Sequence, residues 1–190
     1  MSLFLGIDFG TTGVRSSIID KNKKELINFS VSIDSPISKG SLVYQNPSLW
    51  WSALIKNLTF LKTKIELNKI ERLSIDGTSG TVLITDHLGN PLDDALMYND
   101  ASAVKESKLV ESISDNHPIV STSTNALVRA LSLINKLKKE KYRILHQADW
   151  IACKLINDYT YSDENNALKL GYDCVERSWP KWFDQLPIEM

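Results

Sequence analysis

Gly6-Ile7-Asp8-Phe9-Gly10-Thr11-Thr12-Gly13-Val14-Arg15 is the stretch that decides how this chain is read. An apolar run over residues 3–8 ends on the carboxylate of Asp8, and a Gly/Thr turn leads straight into a second run, residues 13–20. Glycines let backbone N–H groups approach an anion closely and converge on it, and the two threonine hydroxyls add donors. Gly10, Thr11, Thr12 and Gly13 are therefore candidate phosphate ligands. Asp8, at the end of the first run, is a candidate catalytic residue and a candidate organiser of Mg²⁺, which favours carboxylate oxygens and retained waters. The stretch is not a Walker A loop, since no Gly-Lys-Ser/Thr follows, nor a GxGxxG that opens a helix. The competing reading is an ordinary hairpin turn.

Outward from this turn, residues 3–8, 13–20 and 25–33 predict three antiparallel strands, with turns at 10–13 and 20–24. Residues 34–48, rich in Ser, Pro and Gly, read as a loop. Asn46-Pro47-Ser48 predicts a helix start, followed by apolar residues at helical spacing. Strands are expected at 70–76 and 80–86, with a turn at His87–Pro91, and helices at 101–113, 124–140 and 148–158. The order is α/β with mixed strand directions.

The 190 residues fit one domain or a little more, and 43% hydrophobic residues are enough to build a core. A net charge of −1 offers no basic field for nucleic acid or an anionic membrane. No apolar run is long enough to span a bilayer, and the first residues lack the form of a signal peptide. Cys153 and Cys174 lack ligand spacing and read as buried, reduced thiols of a cytoplasmic protein. The C-terminus, ending at Met190, has no capping element or polar tail and reads as a cut.

Two further polar segments can face a small molecule. Asp76, Thr78 and Ser79 lie in a glycine-containing turn between apolar strands, where hydroxyl and backbone groups are presented together. Tyr98, Asn99 and Asp100 follow an apolar pair; Asn and Asp supply the fixed donors and acceptors that polyol recognition needs. Each has a plain structural alternative: a simple turn, a half-buried core tyrosine, and for Asp100 the N-cap of the following helix. Asp163 and Asn166 read as helix-capping residues, Trp50 and Trp51 as helix packing, and the basic run 136–141 as a solvated helix end.

Taken in order, these segments resemble the FGGY carbohydrate kinases, within the superfamily of sugar kinases, heat-shock 70 proteins and actin. The first turn is similar to that superfamily's phosphate motif. Tyr44-Gln45-Asn46-Pro47-Ser48-Leu49-Trp50-Trp51, Ile75–Gly80, Met97–Asp100, Asp149-Trp150-Ile151 and Ser162–Ala167 resemble successive family segments. The resemblance implies an actin-like ATPase (ribonuclease H-like) α/β fold, a mixed sheet flanked by helices, with residues 1–190 forming an incomplete first domain. It implies ATP and Mg²⁺ as cofactors and a small sugar as partner, without nucleic acid or membrane, and it is compatible with a homodimer. The adenosine-binding domain and the general base would lie beyond Met190. The turn at 76–79 lacks the Arg-Glu pair of glycerol kinases and the Met-His pair of xylulokinases. It is closer to the ribulokinase form, which implies a pentulose, D-ribulose ahead of D-xylulose. Two rivals stay open at this point: an actin- or chaperone-like ATPase sharing only the phosphate turn, and a non-catalytic sugar- or partner-binding relative.

Overall fold

Alternation along the first strand sorts its side chains onto two faces. In β1 (Leu3–Phe9), Leu3, Leu5, Ile7 and Phe9 are buried, whereas Gly6 and Asp8 lie on the other face. The computed structural model describes residues 2–114, 120, 122–137 and 141–188. They fall into two compact units, Met1–Pro36 with Asn46–Thr78, and Ile37–Gln45 with Ser79–Met190.

The first unit is a four-stranded sheet in the order β3-β2-β1-β6. β2 (Gly13–Asp20) and β3 (Glu25–Ser32) continue the antiparallel meander from β1, while β6 (Ile70–Gly77) runs parallel to β1. The parallel pairing is reached through α1 (Pro47–Lys62), the long crossover that two parallel strands require. Asn46 caps α1 by accepting from Ser48 N–H, and Pro47 stands in the first turn, where its missing N–H costs nothing. The helix packs on β2 and β3. Phe60 stacks on Phe29 with ring centroids 3.7 Å apart. The buried Asn57 accepts from the Ser16 hydroxyl at 2.5 Å, so this amide on the buried helix face has a partner. Trp50 is fully buried and Trp51 half-buried, in keeping with a packing role for this pair.

The second unit is a five-stranded sheet, β4-β5-β8-β7-β9. Here the structure corrects the sequence reading. Residues 34–48 are not all loop: β4 (Ile37–Lys39) and β5 (Leu42–Gln45) form a hairpin that turns at Gly40 and pairs through β5 with β8 (Ala95–Leu96). These strands are two to four residues long and β4 is wholly exposed, so they carry no apolar period to detect. β7 (Val82–Thr85) is buried along its length and pairs with β9 (Arg143–His146), a strand the sequence did not announce.

The remaining helices are α2 (Val104–Ile113), α3 (Ala126–Leu137), α4 (Gln147–Ile156) and α5 (Glu164–Lys169). α3 is apolar nearly all round because it has two partners. Ala130, Leu133 and Ile134 pack with Val82, Ile84 and Leu96 of the sheet, while Leu127, Val128 and Leu131 join Val110 and Phe183. Each fully buried side chain of this size contributes about 1.5–3 kcal/mol, so α3 is the main organiser of this unit. The basic run at 136–141 lies partly outside the described residues. Among the described residues, no helix is long and apolar enough to cross a membrane. Cys153 is buried and its thiol pKa is raised by that burial; Cys174 is half-buried rather than buried, and both thiols are free.

Candidate active site

The Gly/Thr turn lies where the meander begins. Gly10 N–H donates to the Gly13 carbonyl at 2.9 Å, closing the turn, and the Thr12 carbonyl accepts from Ile33 N–H at 3.0 Å. The Gly10 donor is thus spent inside the turn. Thr12 is exposed; Thr11 and Gly13 are half-buried. A methyl group on Gly13 would sit 3.2 Å from the Val31 carbonyl, so close strand approach favours glycine there.

Asp8 and Asp76 are register partners on β1 and β6. Both line one shallow cavity of about 290 Å³ on the sheet face away from α1, with Gly6, Arg15, Ser17 and Ser74. The Arg15 guanidinium donates to Asp8 Oδ2 at 3.2 Å, and Asp76 Oδ1 accepts from Gly77 N–H at 2.8 Å. Asp8 and Arg15 are 50% and 70% exposed, so this ion pair is open to exchange for a ligand and adds little to stability. Two carboxylates and a guanidinium on one face can organise a hydrated divalent cation and a phosphate. The sequence reading missed Arg15. The hairpin register supplies it, because counting outward from the turn sets Arg15 opposite Asp8.

Thr78, half-buried, closes the first unit, and Ser79, exposed, opens the second. In the second unit Tyr98 is 46% exposed and Asn99 is exposed, both available to a ligand. Asp100 is fully buried. Its carboxylate accepts from Val43 N–H at 2.7 Å, from Ser102 N–H at 3.2 Å and from the Ser102 hydroxyl at 2.9 Å. The helix-cap alternative for Asp100 is overturned: α2 starts at Val104 with Ala103 at the cap position. Asp100 braces the segment from beneath. Asp163, by contrast, does cap α5, accepting from Asn166 N–H at 2.8 Å, as its sequence position indicates.

A second arginine went unnoticed in the sequence. Arg129, 1% exposed on α3, donates to the carbonyls of Gly80 (2.5 Å) and Tyr98 (2.6 Å). Burial lowers its pKa to about 10, against the pull of the nearby Asp100 carboxylate, so it stays charged at neutral pH. A lone arginine inside the apolar run Ala126–Ile134 is the signal that marks it.

The family described as "FGGY family of carbohydrate kinases, N-terminal domain" matches residues 3–182. The chain belongs to the FGGY family of carbohydrate kinases. Among curated relatives, xylulose kinase of Staphylococcus xylosus is 22% identical over 191 residues, covering 94% of this chain and 39% of that enzyme. This FGGY chain therefore spans about two fifths of the length of that relative. Among solved structures, ligand-bound xylulose kinase from Lactobacillus acidophilus superposes with a TM-score of 0.84 at 16% identity, over 100% of this chain and 40% of that one. Plasmodium falciparum glycerol kinase with ADP gives 0.79 at 19% identity, over 97% and 40%. The fold is thus the actin-like α/β type of the FGGY kinases, as the resemblance implied, with a mixed first sheet, an antiparallel second sheet and flanking helices.

Proposed function

We propose that the protein carrying this chain transfers the terminal phosphoryl group of Mg·ATP to a hydroxyl of a small sugar, a ketopentose, in the cytoplasm. The observation that carries the reading is the exposed pair Asp8 and Asp76, set beside Arg15 just before the Gly10–Gly13 turn in an FGGY chain. Phosphoryl transfer asks a protein mainly for positioning and charge stabilisation, and this cluster has the groups for both. Thr11, Thr12 and Gly13 receive the phosphate, and Gly10 sets the turn. Arg15 trades its Asp8 partner for phosphate oxygens. Two carboxylates, waters and nucleotide phosphates are the donor set Mg²⁺ takes, and Asp8, with Asp76 beside it, would hold the ion through its waters. When bound, Mg²⁺ neutralises charge on the transferring group. In the second unit Ser79, Tyr98 and Asn99, with Asp100 bracing the segment, are the proposed sugar contacts; in the first unit Thr78 is. This chain spans about two fifths of the length of the Staphylococcus xylosus relative, and the general base and the adenosine site are proposed for parts of the protein outside it.

D-Ribulose is the first sugar proposed, from the small polar groups at 76–79. A second reading, D-xylulose, draws support from the names of the Staphylococcus and Lactobacillus relatives. The deciding experiment measures ADP release by the full-length protein with and without sugar. Release that rises with a pentulose supports a kinase. ATP turnover indifferent to every sugar would instead indicate an ATPase sharing only the phosphate turn.

A further inference from the structure

We propose that Arg129 is a positioning residue, one buried guanidinium that fixes the backbone of residues 79–81 relative to that of 98–100. The proposal rests on the kinase reading, because those two segments are the part of the sugar wall that this unit contributes.

The argument starts from cost. A guanidinium buried to 1% exposure in an apolar helix is expensive unless its hydrogens are satisfied and a countercharge is near. Leucine would fill the same place on α3 without that cost. What leucine lacks is a planar fork of donors, which can hold several carbonyls at a fixed spacing. Arg129 uses its two terminal nitrogens that way, while its buried Nε has no hydrogen-bond partner among the described residues. Nη2 donates to Gly80 O at 2.5 Å, and Nη1 to Tyr98 O at 2.6 Å, with a longer contact to Asp100 O at 3.4 Å. All three acceptors are main-chain, so the guanidinium specifies where the backbone runs and leaves the side chains of Tyr98 and Asn99 to the ligand. The segments are also joined directly, since Tyr98 N–H donates to Thr81 Oγ1 at 3.2 Å.

Two neighbours complete the device. Asp100 supplies the buried countercharge while tying the segment to Val43 and Ser102. Gly80 has φ +84°, and a Cβ there would stand 3.2 Å from Arg129 Nη2, so glycine permits both the backbone turn and the close approach of the guanidinium. Because Arg129 touches backbone rather than the reacting atoms, its loss should act on sugar binding more than on chemistry.

The test compares wild type, Arg129→Lys and Arg129→Met in the full-length protein, by steady-state kinetics and by amide hydrogen exchange. Arg129→Met is expected to raise the pentulose KM by roughly tenfold or more, with the ATP KM nearly unchanged and a smaller effect on kcat. Exchange should quicken at 79–81 and 98–102 and stay the same in β1–β3. Arg129→Lys, with one charge but no fork, should fall between. Unchanged exchange at both segments in a folded variant would overturn the proposal. So would faster exchange with an unchanged sugar KM, or an equal loss of ATP and sugar affinity. A wild type with no sugar-dependent turnover sinks the kinase reading instead, and the exchange comparison then still decides whether Arg129 clamps the two segments. If neither variant folds, ¹⁵N-arginine-labelled wild type decides. Slowly exchanging Arg129 Nη protons that shift on adding D-ribulose or D-xylulose support the proposal, and freely exchanging ones overturn it.

Discussion

Asp8 and Asp76 face one another as register partners on adjacent parallel strands, and both carboxylates open onto the same cavity. Two like charges on neighbouring strands repel, so a cation bound beside them, as the kinase reading proposes, would relieve that repulsion. Among the described residues the cation paired with Asp8 is Arg15, which is mostly exposed and exchangeable.

The first prediction follows from this pair. In the full-length protein, Asp8→Ala should lower kcat by at least ~10²-fold, on the scale of losing one preorganised electrostatic group. Its Mg²⁺ dependence should weaken as well. Steady-state assays over a Mg²⁺ titration would check this, and normal turnover with normal Mg²⁺ dependence would make Asp8 structural.

A second prediction concerns the turn from Asp86 to Asn90. Gly89 has φ +78°, and a Cβ there would lie 1.9 Å from the Tyr159 ring. Its carbonyl also accepts from the Trp150 indole at 2.9 Å, so the turn cannot simply swing away. Gly89→Ala should destabilise the chain by at least ~2 kcal/mol, combining left-handed strain with overpacking. Urea unfolding followed by tryptophan fluorescence would measure it. A loss within experimental error of zero would mean the ring has room to move.

The same turn gives a pH prediction. Hydrogen bonds from the Asn90 side chain, then from the Asn90 and Leu88 N–H groups, hold the Asp86 carboxyl below the usual carboxylate range. A depressed folded pKa stabilises the fold above the unfolded value, about 3.9, and that stability is lost as pH falls through the folded pKa. Asp86→Asn should therefore flatten the stability curve below about pH 4. Some slope should remain, because Asp158 is held low by the Thr160 hydroxyl and N–H in the same way. Identical acid slopes in wild type and variant would remove Asp86 from the account.

What the sequence disclosed depends on how much periodicity each element carries. β1, β2, β3, α1 and β6 have seven or more residues each and one consistently buried or polar face, and they are legible. β4, β5, β8 and β9 have four residues or fewer, and their pairing is decided by partners distant in the chain. The Asp8–Gly13 stretch was visible because its chemistry is local. Arg15 needed the strand register, and Arg129 needed the knowledge that α3 is buried on both sides. Asp100 shows the same limit. Its position before a helical pattern offers a cap as one alternative, while its carboxylate bonds to Ser102 and to Val43, 57 residues away.

The last prediction concerns the sugar. The full-length protein should prefer ketopentoses, D-ribulose ahead of D-xylulose, with glycerol far behind. The two pentuloses differ in the configuration of one hydroxyl. If the segments around Gly80 and Tyr98 line the sugar, a backbone held there by Arg129 cannot shift to follow that hydroxyl. With the wrong epimer a polar group is left unpaired, which costs about 1–3 kcal/mol, or roughly ten- to a hundredfold in kcat/KM. Glycerol is disfavoured for a different reason: it lacks the carbons and hydroxyls that a pentulose offers beyond C3, so their binding energy is lost. A coupled ADP-release assay over D-ribulose, L-ribulose, D-xylulose, L-xylulose and glycerol separates these cases. If D-xylulose wins, the ketopentose class stands and the ribulose reading of residues 76–79 falls. If glycerol beats every pentulose, the class itself is wrong, and the polar groups at 76–79 and 98–100 do not set substrate length.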